Sequence, residues 1–327
     1  MADPLADVIG LLHPRVVLWK QIEGSGRWAL RFEANPDVNF GVVTTGHCWL
    51  QCEGGPVGLA KGDFLLLSGP PAFTFSSDIG EDTGRDIVDG DVVDGDVVDG
   101  DRTLAGTQDN HLRLGSEGEP AVKLLAGHFA IEPENADLLL DLLPTVVHLR
   151  AGADGAGRIA SLLELIGDEA GADRPGASLV LTRLVEVMLV EALRSAPVTP
   201  AQPPAGLLAG LGDPPVAAAL HAIHANAAQP WTVAGLAAEA RISRSVLAER
   251  FARRVGLTPI EYLLSWRMAM AKHALRQGDQ PIAEIARMVG YGSTSAFSTA
   301  FSRVTGSAPG RYARQGSPHV TSDQSST

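Results

Sequence analysis

Cysteine is almost missing from this chain: of 327 residues, only Cys48 and Cys52 carry a thiol. They stand four apart in an apparent strand, where a rise of ~3.3 Å per residue separates their backbones by roughly 13 Å. A disulfide cannot span that distance, and reduced thiols fit a cytoplasmic protein. Without a CxxC partner the two give little basis for a metal site. Long apolar runs are missing as well. No stretch approaches the ~18 residues that a bilayer-spanning helix needs, so no membrane partner is expected. The first residues, MADPLADVIGLLHPR, have no basic start and do not read as a secretion signal. What remains is an ordinary globular composition, 45% apolar and 20% charged, long enough for two domains.

The net charge of −12 at first argues against a nucleic-acid partner. Its distribution argues for one. Residues 230–315 hold 12 Lys/Arg against 5 Asp/Glu, a net of +7, so the remainder carries −19. Phosphate binding depends on the contacting face rather than on the charge of the whole chain. A solvated arginine-rich helical surface would show the same balance, so charge alone leaves the matter open.

Along the chain, residues 15–76 alternate short apolar runs with turn residues. Phe40-Gly41-Val42-Val43, Cys48-Trp49-Leu50-Gln51-Cys52 and Phe64-Leu65-Leu66-Leu67 are separated by Gly46, Gly54-Gly55 and Lys61-Gly62-Asp63. Many short strands at this spacing predict an antiparallel sandwich or small barrel. Residues 87–101 repeat a pentapeptide three times, IVDGD-VVDGD-VVDGD. The repeat lacks the ligand order and closing Glu of a calcium loop, and it reads as a mobile acidic insert over 86–101. Over residues 157–195 apolar residues recur at three- and four-residue intervals, broken at Asp173-Arg174-Pro175-Gly176, which predicts two helices. The second is apolar around much of its circumference, through Leu179, Val180, Val187 and Val190, as a core helix or a dimer seam would be. The proline-rich APVTPAQPPAG that follows reads as a linker.

The strongest signal is an internal duplication with an offset of 50 residues. SVLAERFARRVGLTPIEY (Ser245 to Tyr262) matches SAFSTAFSRVTGSAPGRY (Ser295 to Tyr312) at Ser245/Ser295, Phe251/Phe301, Arg253/Arg303, Gly256/Gly306, Pro259/Pro309 and Tyr262/Tyr312. A short helix precedes each copy, over 233–240 and 282–289, with turns at Arg241-Ile242-Ser243 and Gly290-Tyr291-Gly292. Ser243 and Ser293 are suited to cap the helices that follow. Leu247 with Phe251, and Phe297 with Phe301, give each longer helix one buried face and leave the other free to enter a groove. That is the helix-turn-helix layout. Between the copies, Pro259 to Gln277 predicts one helix of roughly 28 Å, close to the ~34 Å between successive major grooves on one face of DNA. A duplicated helical bundle that binds a protein is the competing account.

Residues 216–315 resemble the DNA-binding domain of AraC/XylS-type regulators. Trp266-Arg267-Met268, Ile282-Ala283-Glu284-Ile285-Ala286, Val289-Gly290-Tyr291 and Gly306-Ser307-Ala308-Pro309 with Tyr312 carry the resemblance. Phe40-Gly41-Val42-Val43, Gly46-His47-Cys48-Trp49-Leu50 and Gly62-Asp63-Phe64-Leu65-Leu66-Leu67 resemble the cupin-type effector domain of one branch of that family. The resemblance implies an α+β multidomain protein. A cupin-like sandwich or barrel for the effector would span 1–150 and a helical dimerisation segment 151–196. A flexible linker would follow over 197–212, a double helix-turn-helix over 213–315 and a disordered tail over 316–327. It implies a sequence-specific regulator that binds double-stranded promoter or operator DNA, as a homodimer controlled by a small effector, with RNA polymerase a further candidate partner. No enzyme activity, cofactor or metal is expected.

The DNA-binding candidates are Ser243, Arg244, Ser245, Ala248, Glu249 and Arg253 in the first unit. In the second they are Ser293, Thr294, Ser295, Ser298, Thr299 and Arg303. Arg250 is a further cation whose side of the helix is open. Relatives commonly carry arginine where this chain has Glu249 and Thr299. Arginine reads guanine, whereas a glutamate can accept from cytosine N4 and a threonine can touch a thymine methyl. The effector candidates are Trp28, Phe40, His47, Trp49 and Phe73. Cupin enzymes hold metal with histidines where this chain has Gly41 and Phe73, and His47 and His128 lack a ligand partner at suitable spacing. A cupin metalloprotein or enzyme with an accessory helical tail, and an architectural module that needs no ligand, are the alternatives.

Overall fold

Valine, leucine and phenylalanine in short runs between turn residues build two β-sheets, seen in a computed structural model that describes residues 2–12, 14–35, 37–79, 97–99, 111–131, 140–171, 174–196 and 205–315. One sheet has six strands: β1 (Arg15–Ser25), β3 (Val38–Thr45), β6 (Phe64–Ser68), β9 (His111–Gly115), β10 (Val122–Ala130) and β11 (Val146–Leu149). Their order is β11-β6-β3-β10-β1-β9. The other has five: β2 (Ala29–Phe32), β4 (His47–Cys52), β5 (Gly55–Ala60), β7 (Phe73–Ser76) and β8 (Val97–Asp99), in the order β5-β4-β7-β2-β8. Among the described residues all pairings are antiparallel except β1 with β9 and β2 with β8.

Alternation along the strands sends every second side chain inward. Ile22, Val43, Leu65 and Leu124 of the first sheet meet Leu30, Leu50, Leu59 and Phe75 of the second in one buried cluster. The two sheets therefore face each other as a sandwich, and among the described strands no pairing closes them into a barrel. The acidic insert read as a mobile loop contributes a strand at its end. Val97–Asp99 forms β8 beside β2, in keeping with the strand preference of adjacent valines. The first two pentapeptides lie outside the described residues.

Helices α2 (Ala156–Gly171) and α3 (Ala177–Arg194) pack on each other, and α3 also packs on β1 and β11. Ile159, Leu163 and Ile166 of α2 and Val185, Met188, Leu189 and Ala192 of α3 are buried. Leu165, Leu179, Val180 and Val187 are exposed.

The described residues form two compact units, one within residues 12–196 and the other made of residues 205–315 together with 2–11. In the second, α1 (Pro4–Leu12), α4 (Leu207–Leu211), α5 (Pro214–Ala225), α6 (Val233–Glu239), α7 (Arg244–Val255), α8 (Pro259–Gln277), α9 (Ile282–Met288), α10 (Thr294–Thr305) and α11 (Pro309–Gln315) account for nearly all described residues. The flexible linker expected over 197–212 is too long at its C-terminal end, where residues 205–212 carry α4. They are ordered because Leu207 is fully buried and the Gly206 N–H donates to the Arg254 carbonyl at 2.9 Å. Residues 197–204 and the tail 316–327 lie outside the described residues. No helix among the described residues is long and apolar enough to cross a membrane.

Candidate nucleic-acid interface

The duplication in the sequence is a duplication of structure down to individual side chains. Ser243 caps α7 by accepting from the Val246 N–H at 3.4 Å, and Ser293 caps α10 by accepting from the Ala296 N–H at 3.2 Å. Leu247, Phe251 and Val255 bury one face of α7, and Phe297 and Phe301 bury the same face of α10. Phe251 meets Tyr262 edge-on at 5.8 Å, and Phe301 meets Tyr312 edge-on at 5.3 Å. Gly256 and Gly306 end the two helices in left-handed conformation. Between them α8 occupies the span expected of the spacer, started by a capping box at Thr258 and Glu261.

The turns are built alike but from different residues. Gly290 has φ +80 and Arg241 has φ 55. Gly290 is the more constrained, because a Cβ there would lie 2.5 Å from the Ala228 carbonyl oxygen and 2.6 Å from Arg267 Nη2. Arg267 itself donates to the carbonyls of Ala227 and Gln229 at 2.7 and 2.8 Å, and stands 5.9 Å over the Tyr291 ring. This side chain on α8 ties the loop before α6 to the turn of the second helix-turn-helix.

Opposite the buried faces, the predicted interface residues line up at the surface. Ser243, Arg244, Ser245, Glu249 and Arg253 are exposed and Ala248 is half-buried. Ser293, Thr294, Ser295, Thr299 and Arg303 are exposed and Ser298 is half-buried. Arg253 and Glu249 form an ion pair of 3.1 Å one turn apart. Thr299 donates its hydroxyl to the Ser295 carbonyl at 3.1 Å.

Arg250 is not on this face. Its guanidinium reaches Asp213 at 2.8 and 3.2 Å, and Arg254 approaches the same carboxylate at 3.5 Å. Asp213 is 3% exposed and also caps α5 by accepting from the Val216 N–H. The two arginines therefore fix α7 to the start of α5, and the open question about Arg250 resolves as a structural role.

The effector candidates are scattered through the sandwich unit. Trp28 and Phe73 belong to the interior cluster. Phe40 stacks on Phe129 at 4.7 Å, Trp49 is half-buried beside Gly58, and His47 is exposed. His128 lies 3.9 Å from Asp37. Among the described residues no three His, Cys, Asp or Glu side chains converge as a metal site.

The comparisons with known proteins follow the same two parts. The family described as Cupin matches residues 3–196, and a family described as Helix-turn-helix domain matches residues 236–315. A protein of Streptomyces antibioticus named as an AraC-like transcription regulator is 39% identical over 97% of this chain and 100% of its own length. One of Streptomyces lividans with the same name is 41% identical over 95% of this chain and 97% of its own. This chain belongs to the AraC-like transcription regulators. Among solved structures, the DNA-binding domain of AdpA in complex with a target DNA is 30% identical over 32% of this chain and 92% of that chain, with a TM-score of 0.30.

Sequence reasoning missed two features of this AraC-like regulator. Asp213 before Pro214 is a legible helix start, a capping acid followed by proline. Nothing local shows that its other oxygen is reserved for arginines 37 and 41 residues later. The second feature is the docking of α1. His224 on α5 is fully buried at its side chain, with Nδ1 2.9 Å from Asp7 on α1 and Nε2 2.8 Å from the Tyr262 hydroxyl. Burial holds this imidazole below the ordinary histidine range, against the opposing pull of the Asp7 carboxylate. A neutral ring that donates from Nδ1 to Asp7 and accepts at Nε2 from Tyr262 satisfies all three groups.

Proposed function

We propose that this AraC-like regulator binds promoter DNA through the exposed faces of α7 and α10, seated in successive major grooves, and that a small effector held by the sandwich controls the binding. The observation that carries the reading is the twice-built face. Two helices with matched caps, matched buried phenylalanines and matched arginines, Arg253 and Arg303, present polar and cationic side chains outward on either side of one rigid helix. The face is rich in groups that contact phosphate and base edges, and the basic balance of this segment supplies the counterion release on which affinity rests. Ser243, Arg244, Ser245, Ala248, Glu249 and Arg253 form the first half of the interface. Ser293, Thr294, Ser295, Ser298, Thr299 and Arg303 form the second.

In this reading residues 1–150 sense the effector, 151–196 pair two copies, and 213–315 bind DNA. The effector candidates remain Trp28, Phe40, His47, Trp49 and Phe73, all on the sandwich unit, with Trp28 and Phe73 in its buried cluster. The effector acts by shifting the equilibrium between arrangements of the DNA-binding units. RNA polymerase is the partner through which a bound copy would alter transcription. A regulator of promoter DNA acts where that DNA is, in the cytoplasm.

Selection of bound fragments from randomised duplex DNA by the purified full chain tests the reading. Enrichment of paired motifs about one helical turn apart is expected. If nothing is enriched at moderate salt, or if binding depends on salt and not on sequence, the reading fails.

A further inference from the structure

We propose that Glu249 is the specificity-determining residue of the first recognition helix and that it selects cytosine. The inference rests on the DNA-binding reading above and goes one step further, to the base that one side chain reads. Glu249 is the sole acid of α7, and α10 has none. Its side chain is 76% exposed on the face opposite Leu247 and Phe251, in the middle of the row that runs from Ser245 to Arg253. On the DNA-binding reading this carboxylate lies on the face that the helix presents to the groove.

An ionised carboxylate only accepts hydrogen bonds. In the major groove guanine offers two acceptors, N7 and O6, and thymine offers the acceptor O4, so both repel it. Adenine sets its N6 donor beside the acceptor N7. Cytosine N4 is a donor with no adjacent acceptor on its own base, and it is the match for a glutamate. The carboxylate is also held in position. Arg253 Nη1 donates to one oxygen at 3.1 Å, and the second oxygen makes no hydrogen bond among the described residues. That leaves one oriented, unoccupied acceptor for the base.

The same pair has a second consequence of opposite sign. Glu249 neutralises Arg253 and brings negative charge to the surface that meets phosphates, so it weakens binding to DNA of arbitrary sequence. A side chain that merely sits in solvent could produce the charge effect but not the base preference, so the preference is the deciding readout. The second unit has no such device. Its counterpart, Thr299, ties its hydroxyl back to Ser295 and carries no charge.

The test compares wild type, Glu249→Ala and Glu249→Arg as full-length proteins, each selected from the same randomised duplex pool. Glu249 is exposed and has no buried partner, so equal unfolding midpoints are expected and serve as the folding control. Wild type should require cytosine at one position of one half-site, by about tenfold over the other bases. Glu249→Ala should lose that preference and keep the rest of the motif. Glu249→Arg should place guanine there. On random-sequence duplex Glu249→Ala should bind more tightly than wild type, and its affinity should fall more steeply with salt, by roughly one unit of slope as Arg253 is released. The proposal is overturned if wild type and Glu249→Ala enrich the same motif, or if the position that responds prefers adenine, guanine or thymine in the wild type. Failure of the wild type to enrich any motif would overturn the regulator reading and this role with it. Enrichment with unchanged preferences would overturn this role alone.

Discussion

Gly290 and Arg241 occupy the same place in the two helix-turn-helix turns, and both are left-handed. Only one of them is suited to it. A non-glycine residue in this region costs ~1–2 kcal/mol. At Gly290 a Cβ would also press on the Ala228 carbonyl and on Arg267 Nη2, at 2.5 and 2.6 Å. Gly290→Ala is therefore expected to lose about 2–4 kcal/mol, from conformational strain and crowding together. Arg241→Gly relieves its strain but frees the unfolded chain, and the net gain should not exceed about 1 kcal/mol. Urea unfolding of the full-length variants, without DNA, measures both. If Gly290→Ala unfolds at the same midpoint as wild type, the close approach to Ala228 does not constrain the fold. The glycine was visible in the sequence as a turn residue. The carbonyl that makes it obligatory was not, because Ala228 is some sixty residues away in the chain.

At the level of elements, legibility followed how local each determinant is. The caps of α7 and α10 could be read from Ser243 and Ser293, since a cap needs only the next three residues. The bounds of α8 could be read from Pro259 and the glycine after Gln277. The placement of α1 could not. Its apolar residues Leu5, Val8, Ile9 and Leu12 are buried, yet their spacing says only that a helix has one buried face, and not whose surface it meets. That surface is set by His224, which is polar and sits among apolar neighbours on α5. The union of α1, α5 and α8 should be acid-sensitive. Unfolded, His224 titrates near the ordinary ~6.5; folded, burial lowers that value. Asp7 and Asp3 favour its protonation and His221 opposes it. Between the two values the unfolded chain binds more protons, so the stabilisation is intact above the unfolded value and is lost as pH falls towards the folded one. The urea midpoint of the helical signal should drop between pH 7.5 and pH 5.5, and His224→Gln should flatten that drop. An equal drop in both proteins would assign the acid sensitivity to other groups.

For the whole molecule the question is how an acidic body and a basic reading unit act together on DNA. Residues outside 230–315 carry −19 and the segment itself +7, so one copy has a modest cationic face and a large repulsive remainder. The proposed pairing of two copies would compensate, because the second reading unit would then bind at a high effective concentration. The exposed apolar side chains on the two helices after the sandwich are the candidate surface for that proposed pairing. Leu179, Val180 and Val187 on α3, with Leu165 on α2, stand in solvent while the opposite faces of both helices are filled. Val180 and Val187 are seven residues apart and share one stripe of the helix. A double substitution, Leu179→Asp with Val187→Asp, leaves the buried face untouched. It should keep the unfolding midpoint, convert a dimer to a monomer in sedimentation, and weaken binding to a paired site by about a hundredfold. Binding to an isolated half-site should be unchanged, since the faces of α7 and α10 are not altered. A wild type that sediments as a monomer, or a variant that still sediments as a dimer, would remove α3 as the seam.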